Sequence, residues 1–342
     1  PLYSSAASDV YKRQVEMSSV QSWERAEAPF APFRPSWPWN MAFGLALGLL
    51  LASGAVMLRE NVDDTVYSST QLESLLRLNV LGTVPLLEHR WRKDRCYTLS
   101  TDHPRSMPVE YLRALRSSLG VSYCASSPGG DEKGSVFLVT SPGEGEGKTF
   151  LASNLSTLFA AAGKKVLLVD SDLHKATLTY NFGMDNVPGI TSLVKGPQEL
   201  ARLVRPSPVQ NLFVLPAGAP ITNPAAAIES PAFAQLLGES RRHFEVVVLD
   251  APPILAVADA CAVAASCDTV LLAVRSRITR LAQVDRATEA LQRAQAKECV
   301  CILNGLDAAD AEVGGYGYYY GYKYGYAYGL SLIHISEPTR PY

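Results

Sequence analysis

Short apolar runs alternate with amphipathic stretches through the middle of the chain, from residue 135 to about residue 305. Strands buried on both faces of a sheet are continuous and rich in β-branched residues. Six runs have this composition: SVFLVT (135–140), KVLLVD (165–170), LFVLPA (212–217), FEVVVLD (244–250), TVLLAV (269–274) and CVCILN (299–304). Because helical patterns separate most of these runs, the sequence predicts an α/β fold with a doubly wound, mostly parallel sheet.

A longer apolar run, MAFGLALGLLLASGAVML, lies upstream at residues 41–58. Its eighteen uncharged residues would form a helix of about 27 Å, close to the roughly 30 Å hydrocarbon core of a bilayer. Trp37 and Trp39 precede the run, where indole rings favour a membrane interface. We predict a transmembrane helix over residues 37–58; a buried core helix is the alternative. Basic residues are more frequent after the run, as in HRWRKDR, which predicts that the following chain is cytoplasmic.

The flanking segments differ in composition from the predicted sheet. We interpret the proline-containing residues 15–36 as the end of an extracytoplasmic region, and residues 59–107 as a polar cytoplasmic linker with one apolar patch at 80–87. A helix is predicted from about Pro108 to Leu119, at the start of a domain over residues 108–305. Residues 1–14 and 331–342 resemble translated sequencing-adaptor sequence. We expect them to be foreign and the chain to be an N-terminally truncated fragment, with genuine tails as the alternative.

The bulk composition narrows the function class. The chain has 342 residues, of which 47% are hydrophobic and 19% charged, and its formal net charge is −2. These values are typical of one or two globular domains. A chain so close to neutral does not bind nucleic acid non-specifically as its main task, so we expect no nucleic-acid partner.

A glycine-rich loop joins the first predicted strand to a helix in the sequence TSPGEGEGKTFLASNL. Strand, loop, GKT and helix are the context of a phosphate-binding P-loop. We predict that Lys148 contacts phosphates and that Thr149 binds Mg²⁺. Pro142 replaces the first glycine of the GxxxxGK[ST] pattern, and both P-loop glutamates can point outward while the amides face the ligand, so neither feature excludes a P-loop. The residues predicted to bind ATP are Gly143, Glu144, Gly145, Glu146, Gly147, Lys148, Thr149 and Phe150.

Three aspartates follow predicted strands. Asp170 and Asp172 close KVLLVDSD, and Asp250 closes FEVVVLD. Carboxyl ends of parallel strands share one edge of a sheet, so we expect these side chains to converge on the P-loop. Oxygen ligands suit Mg²⁺, and we predict that Asp170 and Asp250 complete the metal site. A helix cap or a turn is the alternative role for any single aspartate of this kind.

These motifs carry a family resemblance when they are taken together. GEGKT, VLLVDSDL, VVVLDAPP, an upstream ExxRxxR and a tyrosine-rich C-terminal segment resemble the bacterial P-loop tyrosine autokinases of exopolysaccharide and capsule synthesis, over roughly residues 28–329. The resemblance implies an ATP- and Mg²⁺-dependent protein-tyrosine kinase at the bacterial inner membrane. It implies that Asp172 orients or deprotonates the incoming phenol and that Asn304 contacts adenine. The catalytic residues that it implies are Lys148, Asp170, Asp172 and Asp250.

The resemblance also implies partners. ExxRxxR in the family joins subunits into a ring, and here it corresponds to Glu110, Arg113 and Arg116 in EYLRALRSSL. Spacings of three place these side chains on one helical face; a solvated charged face is the alternative. Beyond a homo-oligomer, the implied partners are the lipid bilayer, the polysaccharide polymerisation and export machinery, and a cognate phosphotyrosine phosphatase.

The segment GGYGYYYGYKYGYAYG at 314–329 holds eight tyrosines and six glycines, within a predicted tail over residues 306–330. Interleaved glycine makes such a segment flexible, so its phenols could reach the site of a neighbouring subunit. An adhesive low-complexity segment is the alternative. The predicted phosphoacceptors are Tyr316, Tyr318, Tyr319, Tyr320, Tyr322, Tyr324, Tyr326 and Tyr328.

The chain departs from the family at one motif. Where the family has DxDLRxP, this chain has DSDLHKA, with His174 at the arginine position and Ala176 at the proline position; this difference could weaken activity. Two other functions stay open. A partition or septum-type ATPase is disfavoured by Gly143, because those ATPases carry a lysine there. A structural subunit of a polysaccharide-export complex with vestigial nucleotide binding is the other.

Overall fold

The computed structural model describes residues 9–13, 36–62, 64–87, 99–123, 134–185 and 187–307. The chain is divided into two units, and the boundary lies between residues 63 and 64. The first contains a helical turn at 9–13 and the long helix α1, Trp37–Val62. Within the described ranges, the part from Trp37 to Leu58 is the one helix that is long and apolar enough to cross a membrane. The side chains from Trp37 to Leu58 are all exposed, as the side chains of a lipid-facing helix would be.

The second unit is an eight-stranded sheet flanked by helices. Its strands are β1 (Asn79–Pro85), β2 (Ser135–Thr140), β3 (Val166–Asp170), β4 (Arg205–Pro206), β5 (Leu212–Leu215), β6 (Val246–Asp250), β7 (Thr269–Arg275) and β8 (Cys299–Leu306). Its helices are α2 (Ser69–Leu75), α3 (Leu99–Asp102), α4 (Met107–Tyr123), α5 (Lys148–Ala161), α6 (Thr177–Asn181), α7 (Leu200–Leu203), α8 (Pro224–Ile228), α9 (Pro231–His243), α10 (Asp259–Ala264) and α11 (Leu281–Arg293). A 3₁₀ helix covers Ile190–Lys195.

The strands follow the order β1-β8-β7-β2-β6-β3-β5-β4. Every neighbouring pair is parallel except β4 with β5. All six predicted strands are present, and the predicted fold class is confirmed. The P-loop strand β2 lies in the middle of the sheet, and β6 separates it from β3. This order brings the ends of β2, β6 and β3 side by side.

Two apolar layers cover the two faces of the sheet. Leu138 belongs to one layer and its neighbour Val139 to the other, because successive side chains of a strand point to opposite faces. Both are fully buried. Burial of one such side chain stabilises the fold by about 1.5–3 kcal/mol, which explains why the central strands are mostly apolar.

The prediction of a polar linker through residue 107 was wrong in part. Asn79–Pro85 forms β1, an edge strand that pairs in parallel with β8. Only Val84 is fully buried in this strand, and such partial burial left a weak apolar signal in the sequence. The helix predicted from Pro108 to Leu119 is present as α4 and is longer at both ends.

Candidate nucleotide site

The P-loop runs from Ser141 to Gly147, between the end of β2 and the start of α5. Gly147 has φ 94°, a left-handed conformation that glycine adopts without steric cost. A Cβ atom at Gly147 would lie 2.0 Å from Nδ2 of Asn304, so space as well as conformation requires glycine there. Since α5 begins at Lys148, its first amides lack intrahelical acceptors and give the loop a positive, anion-binding end.

The acidic residues lie beside this loop. Asp170 and Asp250 are register partners at the ends of β3 and β6. The amide and the hydroxyl of Ser171 donate to the carbonyl of Asp250 at 2.9 and 2.8 Å, which fixes the two strand ends relative to each other. Nζ of Lys148 lies 2.8 Å from Oδ2 of Asp172. The structure therefore brings together the four residues that the sequence suggested as catalytic.

The carboxylates of Asp170 and Asp250 are buried, and their hydrogen bonds and nearby positive charge do not fully offset the effect of burial on their pKa values. Burial raises the pKa of Asp170 to about 7, the charge of Asp250 adds to this shift, and two hydrogen bonds from Thr179 oppose it. Burial also raises the pKa of Asp250 to about 6, against the opposing charge of Lys148. The nearby Thr149 hydroxyl also lowers the pKa of Asp250, although it makes no hydrogen bond of normal geometry to that carboxylate.

Three buried oxygen atoms at this edge are orphaned. Within the described part of the chain, Oδ1 of Asp170 and both carboxylate oxygens of Asp250 have no hydrogen-bond partner. A buried carboxylate without donors is costly, and a divalent cation would supply the missing charge. No cluster of three or more His, Cys, Asp or Glu side chains suited to a metal ion occurs among the residues from 9 to 307 that the structure describes. A cation here would thus need further ligands, such as phosphate oxygens.

The two P-loop glutamates differ in environment. Glu144 is exposed and forms an ion pair with Lys175 at 2.6 Å. Glu146 is buried, and its carboxylate accepts hydrogen bonds from the Gly143 amide at 2.7 Å and from the Thr279 hydroxyl. Burial raises the pKa of Glu146, and these bonds oppose the shift. The outward arrangement that would leave the loop free for an anion is therefore present for Glu144 but not for Glu146, because each carboxylate oxygen of Glu146 has a donor inside the protein.

The remaining predicted ATP-binding residues are placed as follows. Gly145 lies on the open side of the loop with φ 75°, and Thr149 is half-buried in the first turn of α5. Phe150 is buried in the core, so only its backbone can face a ligand. Asn304 is buried, and its Nδ2 donates to the carbonyl of Glu146 at 2.8 Å. The adenine contact of Asn304 stays a prediction; in the structure this amide supports the P-loop.

The departures from the family motif lie in the loop after β3. Nε2 of His174 is 2.9 Å from Oδ2 of Asp259, the first residue of α10. Ala176 has φ 44°, and its amide donates to the carbonyl of Asp172 at 2.8 Å. The His174 contact bonds the loop after β3 to α10, and the Ala176 contact closes a turn of that loop on Asp172.

The predicted interface helix is α4. Arg113 donates to Glu110 within the helix, and Arg116 donates to the hydroxyl of Ser117 at 3.3 Å. The intersubunit contacts of these residues stay predictions. The eight tail tyrosines, the basic cluster at 89–95 and the predicted sequencing scar at 331–342 lie outside the described residues.

Sequence reasoning missed three polar residues at this site. Thr179 holds Asp170 through its amide at 2.7 Å and its hydroxyl at 2.6 Å. Thr279 holds Glu146, and Asp259 holds His174. None of these belongs to a recognisable motif, and two of the three pairings join residues far apart in the chain. A single sequence therefore carries no signal for the contacts of Thr279 and Asp259.

Comparisons with known proteins show what this chain is similar to. A family model described as an AAA domain matches residues 137–300. The chain is 30% identical over 303 residues to the tyrosine-protein kinase ptk of Acinetobacter johnsonii, covering 86% of this chain and 40% of ptk. It is 29% identical over 292 residues to the tyrosine-protein kinase etk of Escherichia coli K12, covering 80% of this chain and 39% of etk. The chain thus spans less than half the length of these curated relatives.

Among solved structures, the kinase domain of the Escherichia coli tyrosine kinase ETK superposes with a TM-score of 0.63 at 28% identity. That match covers 70% of this chain and 94% of the solved domain. The similarity therefore extends over nearly the whole of that solved kinase domain.

Proposed function

Because this chain belongs to the family of bacterial P-loop tyrosine autokinases, we propose that it transfers the γ-phosphoryl group of ATP to tyrosines of its own C-terminal tail. One observation carries this proposal: Lys148, Asp170, Asp172 and Asp250 meet at the sheet edge that bears the P-loop. Phosphoryl transfer asks a protein mainly for positioning and for charge stabilisation, and this arrangement supports both.

The residues divide the chemistry among them. The P-loop amides and Lys148 hold the phosphates. Thr149, Asp170 and Asp250 hold Mg²⁺, which when bound offsets the negative charge of the phosphates; the orphaned oxygens of the two aspartates support this assignment. A tyrosine phenol has a pKa near 10 and needs a base at neutral pH. Asp172 takes the phenol proton while the new oxygen–phosphorus bond forms and ADP leaves with the bridging oxygen.

The wider assembly is part of the proposal. Residues 37–58 anchor the chain in the inner membrane with the kinase domain in the cytoplasm, and α4 joins subunits into a ring. The tail of one subunit enters the site of its neighbour. Each phosphate adds a charge of roughly −1.5 to −2, so that eight phosphotyrosines would add roughly −12 to −16. Such tails repel one another, so that the ring dissociates. This dissociation regulates polysaccharide polymerisation and export until a phosphatase removes the phosphates and the ring forms again.

The test is incubation of the purified chain with ATP and Mg²⁺, followed by mass spectrometry of the tail and measurement of free phosphate. Tail phosphotyrosine supports the proposal. Free phosphate without phosphotyrosine indicates an ATPase of the partition type, and neither product indicates a structural subunit; either result overturns the proposal.

A matched pair of lysine variants sharpens this test. Lys148→Ala removes the phosphate contact and should abolish tail phosphorylation. Lys164→Ala removes an exposed lysine, which pairs with Glu245 at 2.6 Å, and should leave phosphorylation unchanged. Phosphorylation that survives in Lys148→Ala would refute the assignment of the P-loop as the catalytic site.

A further inference from the structure

A buried hydrogen-bonded pair supports the P-loop from beneath. Glu146 has 2% of its surface exposed, and its carboxylate joins the Gly143 amide on one side to the Thr279 hydroxyl on the other. The carbonyl of Glu146 also accepts from Asn304 at 2.8 Å. The loop is therefore closed on itself by the Glu146 side chain, and its backbone is fixed to β8.

Thr279 is itself held at three points. Its hydroxyl accepts from the amide of Arg275 at 2.9 Å while it donates to Glu146. Its amide donates to the carbonyl of Arg275 at 3.0 Å, and its carbonyl accepts from the amide of Val66 at 2.9 Å. The side chain is fully buried. This turn after β7 thus presents one hydroxyl to the P-loop in a single orientation.

The third contact, from the Val66 amide to the Thr279 carbonyl, involves the first residues of the second unit. Residues 64–66 run against the turn after β7, with amides of Arg277 and Leu281 donating to the carbonyls of Val66 and Asp64, each at 2.8 Å. Val66 is fully buried in the core. We refer to residues 64–66 as the strap. The strap therefore fixes the backbone on both sides of Thr279.

From these contacts we propose that Glu146 and Thr279 form a positioning pair that keeps the P-loop open for nucleotide, and that the strap keeps Thr279 in place. The Glu146 carboxylate restrains the Gly143 amide, while the Ser141 hydroxyl donates to the Gly143 carbonyl at 2.6 Å. Without the Thr279 hydroxyl, one oxygen of a buried carboxylate loses its donor, and the loop must rearrange to hydrate it. This inference deepens the proposed function and rests on it only for nucleotide binding.

The test measures the dissociation constant of a non-hydrolysable ATP analogue with Mg²⁺ on the full chain, by calorimetry. Thr279→Val has nearly the same shape but lacks the hydroxyl, and we expect its dissociation constant to rise about tenfold, as for the loss of a hydrogen bond to a charged group. Thr279→Ser keeps the hydroxyl and should return to within about twofold of the wild type. The rate of phosphorylation at saturating ATP should be similar in all three proteins.

A control separates positioning from loss of stability. Thr157 lies in α5, and its buried hydroxyl donates to the carbonyl of Ser153 at 2.9 Å. Thr157→Val removes a buried hydroxyl bond without contact to the loop, and should leave the dissociation constant unchanged. Equal weakening in Thr157→Val and Thr279→Val, or no weakening in Thr279→Val, would overturn the inference. If Thr279→Val does not fold, Glu146→Gln, which cannot accept both bonds, should show the same loss of nucleotide affinity.

The strap is tested by a second matched pair. Val66→Pro removes the amide that donates to Thr279, while Val66→Ala removes more side-chain volume and keeps that amide. We expect weaker nucleotide binding in Val66→Pro than in Val66→Ala, by about threefold or more. Equal affinities would exclude the strap from the inference. Nucleotide binding by a wild-type chain that makes no phosphotyrosine would refute the proposed function and leave this inference intact.

Discussion

The ammonium group of Lys148 and the carboxylate of Asp172 form a 2.8 Å ion pair, although the proposed mechanism gives them separate tasks. Both groups are largely buried, and removing either partner would leave an uncompensated buried charge. The phosphates of a nucleotide are a competing anion for Lys148. Nucleotide binding is therefore expected to release Asp172 for the phenol proton, so that the base becomes available when ATP is present.

Asp172→Asn should separate catalysis from binding. The amide cannot take a proton from a phenol, and we expect tail phosphorylation to slow by about 10²- to 10⁴-fold, the usual contribution of a general base. Nucleotide affinity should not fall, since the phosphate contacts remain and Asp172 no longer competes with the phosphates for Lys148. Quantitative phosphotyrosine mass spectrometry and calorimetry measure the two effects. A variant that binds nucleotide normally and phosphorylates its tail at the wild-type rate would exclude Asp172 as the base.

Asp170 should make the apo protein less stable as the pH rises. Its pKa is about 7 in the folded chain against an ordinary value of 3.8. Between these values the folded state holds a proton that the unfolded state has lost, so its contribution to the free energy of unfolding falls as the pH rises through this window and is constant above it. Other carboxylates, such as Asp268 with its lowered pKa, act in the opposite sense, so the effect must be isolated by comparison.

Asp170→Asn provides that comparison. An asparagine oxygen can still accept both bonds from Thr179, while the charge is removed. Without nucleotide at pH 8, we expect the variant to unfold with a free energy about 1–3 kcal/mol higher than the wild type. The difference should vanish near pH 4. Chemical denaturation at the two pH values measures it, and a difference that does not depend on pH would contradict the assigned pKa.

The sequence was informative wherever the local structure requires a particular type of residue. Apolar runs predicted the strands because burial on both faces favours apolar residues, and the GKT tripeptide predicted the P-loop because glycine and lysine are each required by its geometry. Glu146 shows where such reasoning ends. Nothing near it in sequence reveals that Thr279 supplies a donor, so the direction of its side chain followed only from the folded chain. Strand β1 was missed for a related reason, since an edge strand needs few buried residues.

His174 is expected to act through Asp259. With the carboxylate as acceptor, Nε2 donates across 2.9 Å and ties the loop after β3 to α10. His174→Ala and Asp259→Ala should each slow tail phosphorylation by a similar factor, about three- to tenfold for one hydrogen bond, because Asp172 loses part of its support. The double variant should be no slower than the slower single variant. Multiplicative effects in this double-mutant cycle would show that the two side chains act independently. His174→Arg, which restores the residue of the family motif, should keep the contact and the activity.

Ala176 explains why this chain lacks the proline of that motif. Its φ of 44° is closed to proline, which is fixed near −65°, and its amide donates to the carbonyl of Asp172 at 2.8 Å. Ala176→Pro should therefore lower the free energy of unfolding by about 2–3 kcal/mol and displace Asp172. Ala176→Gly should raise it by about 1 kcal/mol, since glycine adopts the left-handed region freely. Thermal and chemical denaturation measure both changes. Equal stability of the proline variant and the wild type would mean that this loop adopts a different backbone conformation.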